Sequence, residues 1–257
     1  AVGVTALFAL PGPAPLTTAH AGPLRVATYN IHYGYDTHWR YSLEDQARPI
    51  EQSGADIVFL QEVDAGRITS YGVDDALWLG RRLGMEHVFG PALEDLSGVA
   101  ILSRYPVTES DTEHLASRLE QSAIVHARVR LSPSDPEAVP ADEEAIVDAY
   151  GTWLGLEPLE RARQLEDVLA FIGEASPAVL GGDFNATPDS PTYAALREAN
   201  FEDPYDAVAR EGWATSPATD PVERIDYVLA RGLEPVDVQV LDALASDHRL
   251  VVAEFNP

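Results

Sequence analysis

Residues 178–185 read AVLGGDFN. Three apolar residues make a short buried strand, two glycines follow, and the chain then delivers Asp183 and Asn185 where packing asks for nothing polar. The same pattern recurs elsewhere. Residues 56–60 (DIVFL) form a buried strand that ends in Gln61 and Glu62. Residues 24–29 (LRVATY) alternate as a strand does and run into Asn30. Asp226 sits inside RIDYVLA at 224–230, where a charge is costly unless paired. Asp247 and His248 precede the apolar strand LVVAEF at 250–255.

Each of these residues alone also has an ordinary reading, because acids at strand ends cap helices or solvate loops. Their joint occurrence points further. Strand ends of a sandwich converge on one rim, so the set is able to form a single acidic pocket. An oxygen-rich pocket suits a hard ion such as Mg²⁺ or Mn²⁺.

The rest of the chain supplies the frame. Helical spacing over 42–53 opens at a Ser42 N-cap and stops at Gly54. Further helices are predicted over 74–83, 159–173 and 190–199, and further strands over 87–90, 99–102, 124–131 and 146–153. The acidic, Pro-rich stretch 132–145 reads as an exposed loop. There are many strands, few helices and no strict βαβα alternation. That order predicts an α+β fold with two packed sheets flanked by helices.

Composition narrows the partners. Of 257 residues 46 % are hydrophobic, enough for one large core. Seventeen Lys and Arg stand against 42 Asp and Glu, a net charge of −25. Nucleic-acid binding draws its affinity from cations that neutralise phosphates, so this surface disfavours a nucleic-acid partner. Cysteine is absent, which removes disulfides, zinc-thiolate sites and thiol nucleophiles. Residues 1–22 are apolar and Pro-rich; their most apolar stretch, Ala1–Leu10, is too short to span a bilayer, and they lack the basic start of a signal peptide. Two readings stay open for them: the tail of a membrane segment or signal, or an unstructured arm ahead of a domain at 23–257.

Taken together, YNIH (29–32), QEVD (61–64), GVAILSRYP (98–106), GGDFN (181–185), RIDYV (224–228) and SDH (246–248) resemble the endonuclease/exonuclease/phosphatase superfamily. The ordered set is specific, and it covers residues 24 to 255. The resemblance implies a DNase-I-like four-layer α/β-sandwich of two mixed β-sheets and a divalent-metal-dependent phosphoesterase. It casts Glu62 and Asn30 as metal-holding residues assisted by Asp247. Asp183 would orient or deprotonate the attacking water, and Asn185 would hydrogen-bond the phosphate or that water. His248 would donate to a non-bridging phosphate oxygen while Asp226 holds its other ring nitrogen. Phosphoryl transfer needs this kind of positioning and charge neutralisation more than covalent chemistry.

One motif departs from the pattern. The superfamily usually carries a Thr-His-Leu-like motif before the long helix, and here GTWLG (151–155) puts Trp153 at the His position. Indole donates a hydrogen bond but carries no proton to a leaving oxygen. Three readings follow: a substrate whose leaving group needs little protonation, a substitute histidine among His32, His38 and His114, or a domain that has lost catalysis. His32 is the expected substitute, two residues beyond Asn30 on the same face of an extended strand. Tyr33, Tyr35, Trp39, Tyr41 and Tyr71 make an aromatic cluster that either stacks on a sugar, inositol or lipid headgroup or packs the loops. Arg67 and Arg104 either meet phosphate or pair with local acids. The substrate-binding expectation thus names His32, Arg67, Trp153 and Tyr35. The stretches YNIHYGYD, QEVDAGRITSYGVDDALWLGRRLGM and GTWLGL are also similar to a soluble domain appended to membrane proteins, related to the C-terminal part of the proteins that remodel the lipid of GPI anchors. That similarity implies a phospholipid headgroup or other small phosphoester as substrate, and an extracytoplasmic, membrane-attached setting.

Overall fold

Strands buried on both faces read as near-continuous apolar runs, and two of them lie at the centre of this molecule. The structure is a computed structural model that describes residues 22–118, 121–131, 145–208 and 212–256. Strand β1 (Leu24–Asn30) pairs in parallel with β2 (Ile57–Asp64). On β1, Leu24 and Val26 face one side while Ala27 and Tyr29 face the other. On β2, Ile57 and Phe59 share the first side, and Val58 and Leu60 share the second.

The remaining strands are β3 (Glu86–Pro91), β4 (Ser97–Ser103), β5 (Val107–His114), β6 (Ala123–Arg130), β7 (Ile146–Trp153), β8 (Ala178–Asp183), β9 (Asp226–Arg231), β10 (Glu234–Leu241) and β11 (Leu250–Asn256). They form a six-stranded sheet in the order β10-β11-β1-β2-β4-β3 and a five-stranded sheet in the order β5-β6-β7-β8-β9. Both sheets are mixed. β1 and β2 are parallel, as are β7 and β8, and the other pairs are antiparallel.

Helices close both outer faces. α1 (Leu43–Ser53) starts where the Ser42 side chain accepts the Asp45 N–H, and ends at Gly54 in the left-handed conformation. α2 (Asp75–Leu83) is capped the same way by Asp74 and Gly84. Together they cover the six-stranded sheet through Ala47, Ile50, Ala76 and Leu79. α3 (Pro158–Ile172) and α4 (Pro191–Glu198) cover the five-stranded sheet through Leu165, Val168 and Leu196. Between the sheets lies the largest core, built on Phe59, Val99, Ile101, Val125, Val179 and Phe255. The result is the four-layer α/β-sandwich of the DNase-I-like type.

Two strands escaped the sequence reading. β5 is polar and exposed over nearly its whole length, and β10 carries Pro235 and a register shift at Pro235/Asp237. Both are edge strands, held by their neighbours' backbones rather than by their own apolar pattern. The acidic loop expected at 132–145 lies, except for Ala145, outside the described residues, as does the arm expected at 1–22, except for Gly22. Among the described residues no helix is long and apolar enough to cross a membrane.

Candidate active site

Parallel pairing puts the C-terminal ends of β1, β2, β7 and β8 on one rim, and antiparallel pairing puts the starts of β9 and β11 there too. Alternation then chooses which side chains look inward. Asn30 follows Val26 and Thr28 on the inter-sheet side of β1. Asp183 follows Val179 and Gly181 on β8, and Asp226 stands opposite it in register on β9. The glycine is a packing requirement, since a Cβ on Gly181 would lie 2.1 Å from Cδ2 of Phe59.

Glu62 reaches the rim by a local exception. Strict alternation sends it to the helix side with Val58 and Leu60. Instead the β2–β4 register shifts between Leu60 and Val63, and Glu62 adopts φ 52°. One extra residue in the strand is a β-bulge, and it re-aims a side chain while Val63 returns to the helix side. A left-handed glutamate costs free energy, and such strain concentrates at functional sites.

Asn30 ties the carboxylates together. Its Nδ2 donates to Glu62 Oε1 at 2.9 Å and to Asp183 Oδ2 at 3.1 Å, and its Oδ1 accepts the His32 N–H at 2.9 Å. In this arrangement the amide nitrogen faces the two acids and the amide oxygen faces the His32 N–H, so Asn30 spaces Glu62 and Asp183 apart. Ser246 completes the frame, its hydroxyl donating to the Asn30 carbonyl at 2.7 Å. His248 spans two acids: Nδ1 is 2.9 Å from Asp226 Oδ2 and Nε2 is 3.9 Å from Asp183 Oδ2.

The electrostatics follow from burial. Desolvation pushes the Glu62 carboxyl up to about 8, and Asp247 and Asp183 push the same way against the Asn30 hydrogen bond. Burial and then Asp226 raise Asp183, against the pull of His248. Burial alone would discharge His248, but Asp226 and Asp183 outweigh it and hold the ring protonated. Asp183, Asp226 and His248 bring one ligand-type atom each within 4.8 Å of one another. Within that trio His248 is ion-paired to Asp226 through Nδ1 and faces Asp183 with Nε2. Asp247 and Asp183 each act through space on Glu62, and carboxylate oxygens of this kind are the donors a hard divalent cation takes, although among the described residues only Asp183, Asp226 and His248 close to within 4.8 Å.

The other expected residues fall at different distances from this centre. The Asn185 N–H donates to Asp183 Oδ1 at 3.0 Å, and its side-chain amide donates to the Leu154 carbonyl at 2.8 Å. Trp153 is beside Asp183 in the β7–β8 ladder but only 8 % exposed, packed in the inter-sheet core, with its indole N–H shielded and unpartnered. β1 ends at Asn30, and His32 turns away with φ 47°, so the shared strand face expected for it does not exist. Its ring still ends 3.9 Å from Asp247. His38 contacts Thr37, and His114, the last residue of edge strand β5, pairs with Asp95. Arg67 is held by Asp64 over the Tyr33 ring, the Tyr35 hydroxyl donates to the Thr69 carbonyl, and Arg104 donates to the Ala55 carbonyl.

Sequence reasoning missed Ser246, visible only as the first letter of SDH. It also missed Arg224, which opens RIDYV. Arg224 is paired to Asp203 at 2.9 Å, lies over the Tyr205 ring, and with Trp213 and Arg249 lines a cavity of about 590 Å³.

The sequence pattern of the endonuclease/exonuclease/phosphatase family matches residues 27–248. Solved structures agree with the fold. A protein of that family from Beutenbergia cavernae superposes with TM-score 0.73 at 23 % identity, over 91 % of this chain and 71 % of that one. A mannosyl-6-phosphatase from Bacteroides thetaiotaomicron gives 0.69 at 17 % identity, over 90 % and 99 %. The human Nocturnin catalytic domain with bound sulfate gives 0.66 at 20 %, over 93 % and 95 %. With four layers, a rim of Glu62, Asp183, Asp226 and His248, and a family pattern spanning most of its length, this chain belongs to the endonuclease/exonuclease/phosphatase family.

Proposed function

We propose that the protein hydrolyses a phosphodiester or phosphomonoester with the help of Mg²⁺ or Mn²⁺, and that its substrate is a phospholipid headgroup or another small phosphoester. The observation that carries this reading is the continuous chain Glu62–Asn30–Asp183–His248–Asp226 on one rim. Glu62 and Asp247 would hold the cation, which when bound neutralises charge on the phosphoryl oxygens. Asp183, oriented by Asn30 and the Asn185 N–H, takes the proton of the attacking water as its oxygen bonds to phosphorus. Protonated His248, steadied by Asp226 at Nδ1, presents its Nε2–H to a non-bridging oxygen, where charge accumulates as the ester P–O bond breaks. Trp153 supplies no proton, so the leaving oxygen takes one from water. A low-basicity leaving group suits such a site.

The net charge of −25 supports a small or headgroup ester over a nucleic acid. The likeness to a mannosyl-6-phosphatase supports the phosphomonoester branch. One observation favours a second reading, a headgroup-binding domain without turnover: the shielded indole of Trp153 stands where a motif histidine is expected.

Hydrolysis of a chromogenic phosphodiester, a sugar phosphate, plasmid DNA and phospholipids, each with Mg²⁺, Mn²⁺ or EDTA, tests the proposal. Turnover that needs the cation and disappears in Asp183→Asn and His248→Ala is expected. Inert wild-type protein that still binds a phosphorylated headgroup establishes the second reading, and preferential cleavage of DNA overturns the substrate inference.

A further inference from the structure

Scattered exposed apolar residues are ordinary on a soluble domain, but their segregation is not. Apart from Ile146 at the start of β7 and Val236 in β10, the exposed large apolar side chains of the described residues sit on the connections at the catalytic rim, Leu159 in the first turn of α3. Trp39 (72 % exposed) follows β1, and Ile68 (95 %) follows β2. Leu156 and Leu159 (82 %) follow β7 on the Asp183 side. Val222 and Leu244 project from the segments that lead into β9 and β11.

These positions are tied to the reacting groups. The Trp39 ring is 4.6 Å from that of His32, which in turn reaches Asp247. Leu156 is two residues beyond Leu154, whose N–H donates to the Asp183 carbonyl. Ala218, in the turn that bears Val222, donates its N–H to the Asp247 carbonyl. The projections therefore stand on several sides of one polar mouth.

They are also held outward by design of the loops. Trp39 has φ 59° and Tyr71 has φ 60°, a region that costs an aromatic residue free energy. Asp36 fixes the Trp39 turn by accepting the His38 and Arg40 N–H groups at 2.8 and 2.9 Å. Both rings lie largely in solvent, while Trp39 contacts His32 and Tyr71 contacts Tyr41.

We infer that this rim is an interfacial docking surface that seats the mouth on a zwitterionic phospholipid bilayer. Separate apolar projections around a polar hole match a medium that is apolar beneath a polar layer, where side chains enter the acyl boundary while the phosphoester enters the hole. Charge selects the kind of bilayer. At −25 the protein is repelled by anionic lipid, so apolar contact with phosphatidylcholine-type headgroups remains. The inference rests on the phosphoester reading for its purpose but not for its test.

Sedimentation with phosphatidylcholine vesicles in EDTA, where neither cation nor turnover takes part, reads docking alone. Wild-type protein is expected to co-sediment, with tryptophan emission moving to the blue in the wild type but not in Trp39→Phe, and with weaker binding as phosphatidylserine replaces phosphatidylcholine. The double variant Ile68→Ser/Leu159→Ser is expected to lower the partition coefficient at least about tenfold. Both side chains lie in solvent, so an unchanged unfolding midpoint is the folding control. Absence of co-sedimentation, an unaltered partition coefficient in the variant, binding that rises with phosphatidylserine, or a wild-type dimer that the variant converts to monomer would overturn the inference.

Discussion

Gly181→Ala is expected to be among the costliest single-methyl additions in this protein. Phe59 reaches from the six-stranded sheet and lies on two glycines of the opposite sheet, Gly181 and its register partner Gly151. A Cβ on Gly181 would stand 2.1, 2.7 and 2.9 Å from three ring atoms of Phe59, against ordinary contacts of 3.4–4 Å. The ring has to retreat by more than an ångström. It is fully buried, and a Cβ on Gly151 would already be 3.1 Å from its other edge. Overpacking of this kind costs about 1–3 kcal/mol, and the absence of slack puts Gly181→Ala near the upper end. The small gain from replacing a strand glycine, about 0.5–1 kcal/mol, only partly offsets it. Phe59→Ala alone should cost about 3–5 kcal/mol through the cavity it leaves. In that background the added methyl fills space, so Gly181→Ala should cost almost nothing, and the double-mutant cycle should show a coupling of about 2 kcal/mol. Urea unfolding followed by circular dichroism reads all four proteins. A Gly181→Ala variant within about 0.5 kcal/mol of wild type, or an equal cost in both backgrounds, would refute the packing account. Activity should fall as well, because Asp183 lies two residues along the displaced strand and its 3.1 Å bond to Asn30 would lengthen.

Asp226→Asn removes the charge that keeps His248 protonated. Turnover should drop by about 10²- to 10⁴-fold, with the alkaline limb of the pH–rate profile moving to lower pH. Mn²⁺ is expected to raise the Tm of the wild-type protein, by a stabilisation of about 2.7 kcal/mol at a hundredfold excess over Kd, and Glu62→Gln should abolish that rise. Burial pushes the Asp75 carboxyl, hydrogen-bonded by Tyr41 at 2.6 Å, up to about 8. The folded state then keeps a proton that the unfolded chain releases from about pH 4, so this group's contribution to stability falls as pH rises from about 4 to 8. Asp75→Asn should flatten that slope in unfolding titrations, whereas a slope like that of wild type would show that Asp75 is charged in the fold. Ser42→Ala deletes the α1 N-cap and should cost about 1 kcal/mol in the same assay.

Much of this was legible without coordinates, because the relevant information is local. An apolar run that stops at a carboxylate announces a strand delivering that carboxylate, and this holds for 56–60 before Glu62 and for 178–180 before Asp183. The cap at Ser42 and the stop at Gly54 are equally local, since each satisfies backbone groups within a turn of itself. Edge strands β5 and β10 were not legible, because their order comes from pairing with β6 and β11. What the tertiary structure decided is direction. Side-chain facing depends on register, and register is set by partners far along the chain. The bulge that turns Glu62 inward exists only against β4, and the seat of Phe59 only against Gly151 and Gly181. The amide of Asn30 points its nitrogen at two acids because Glu62 and Asp183, 32 and 153 residues away, come to meet it. Residue types are written in the order of the chain, whereas the field that gives each its role is summed over neighbours that only folding assembles.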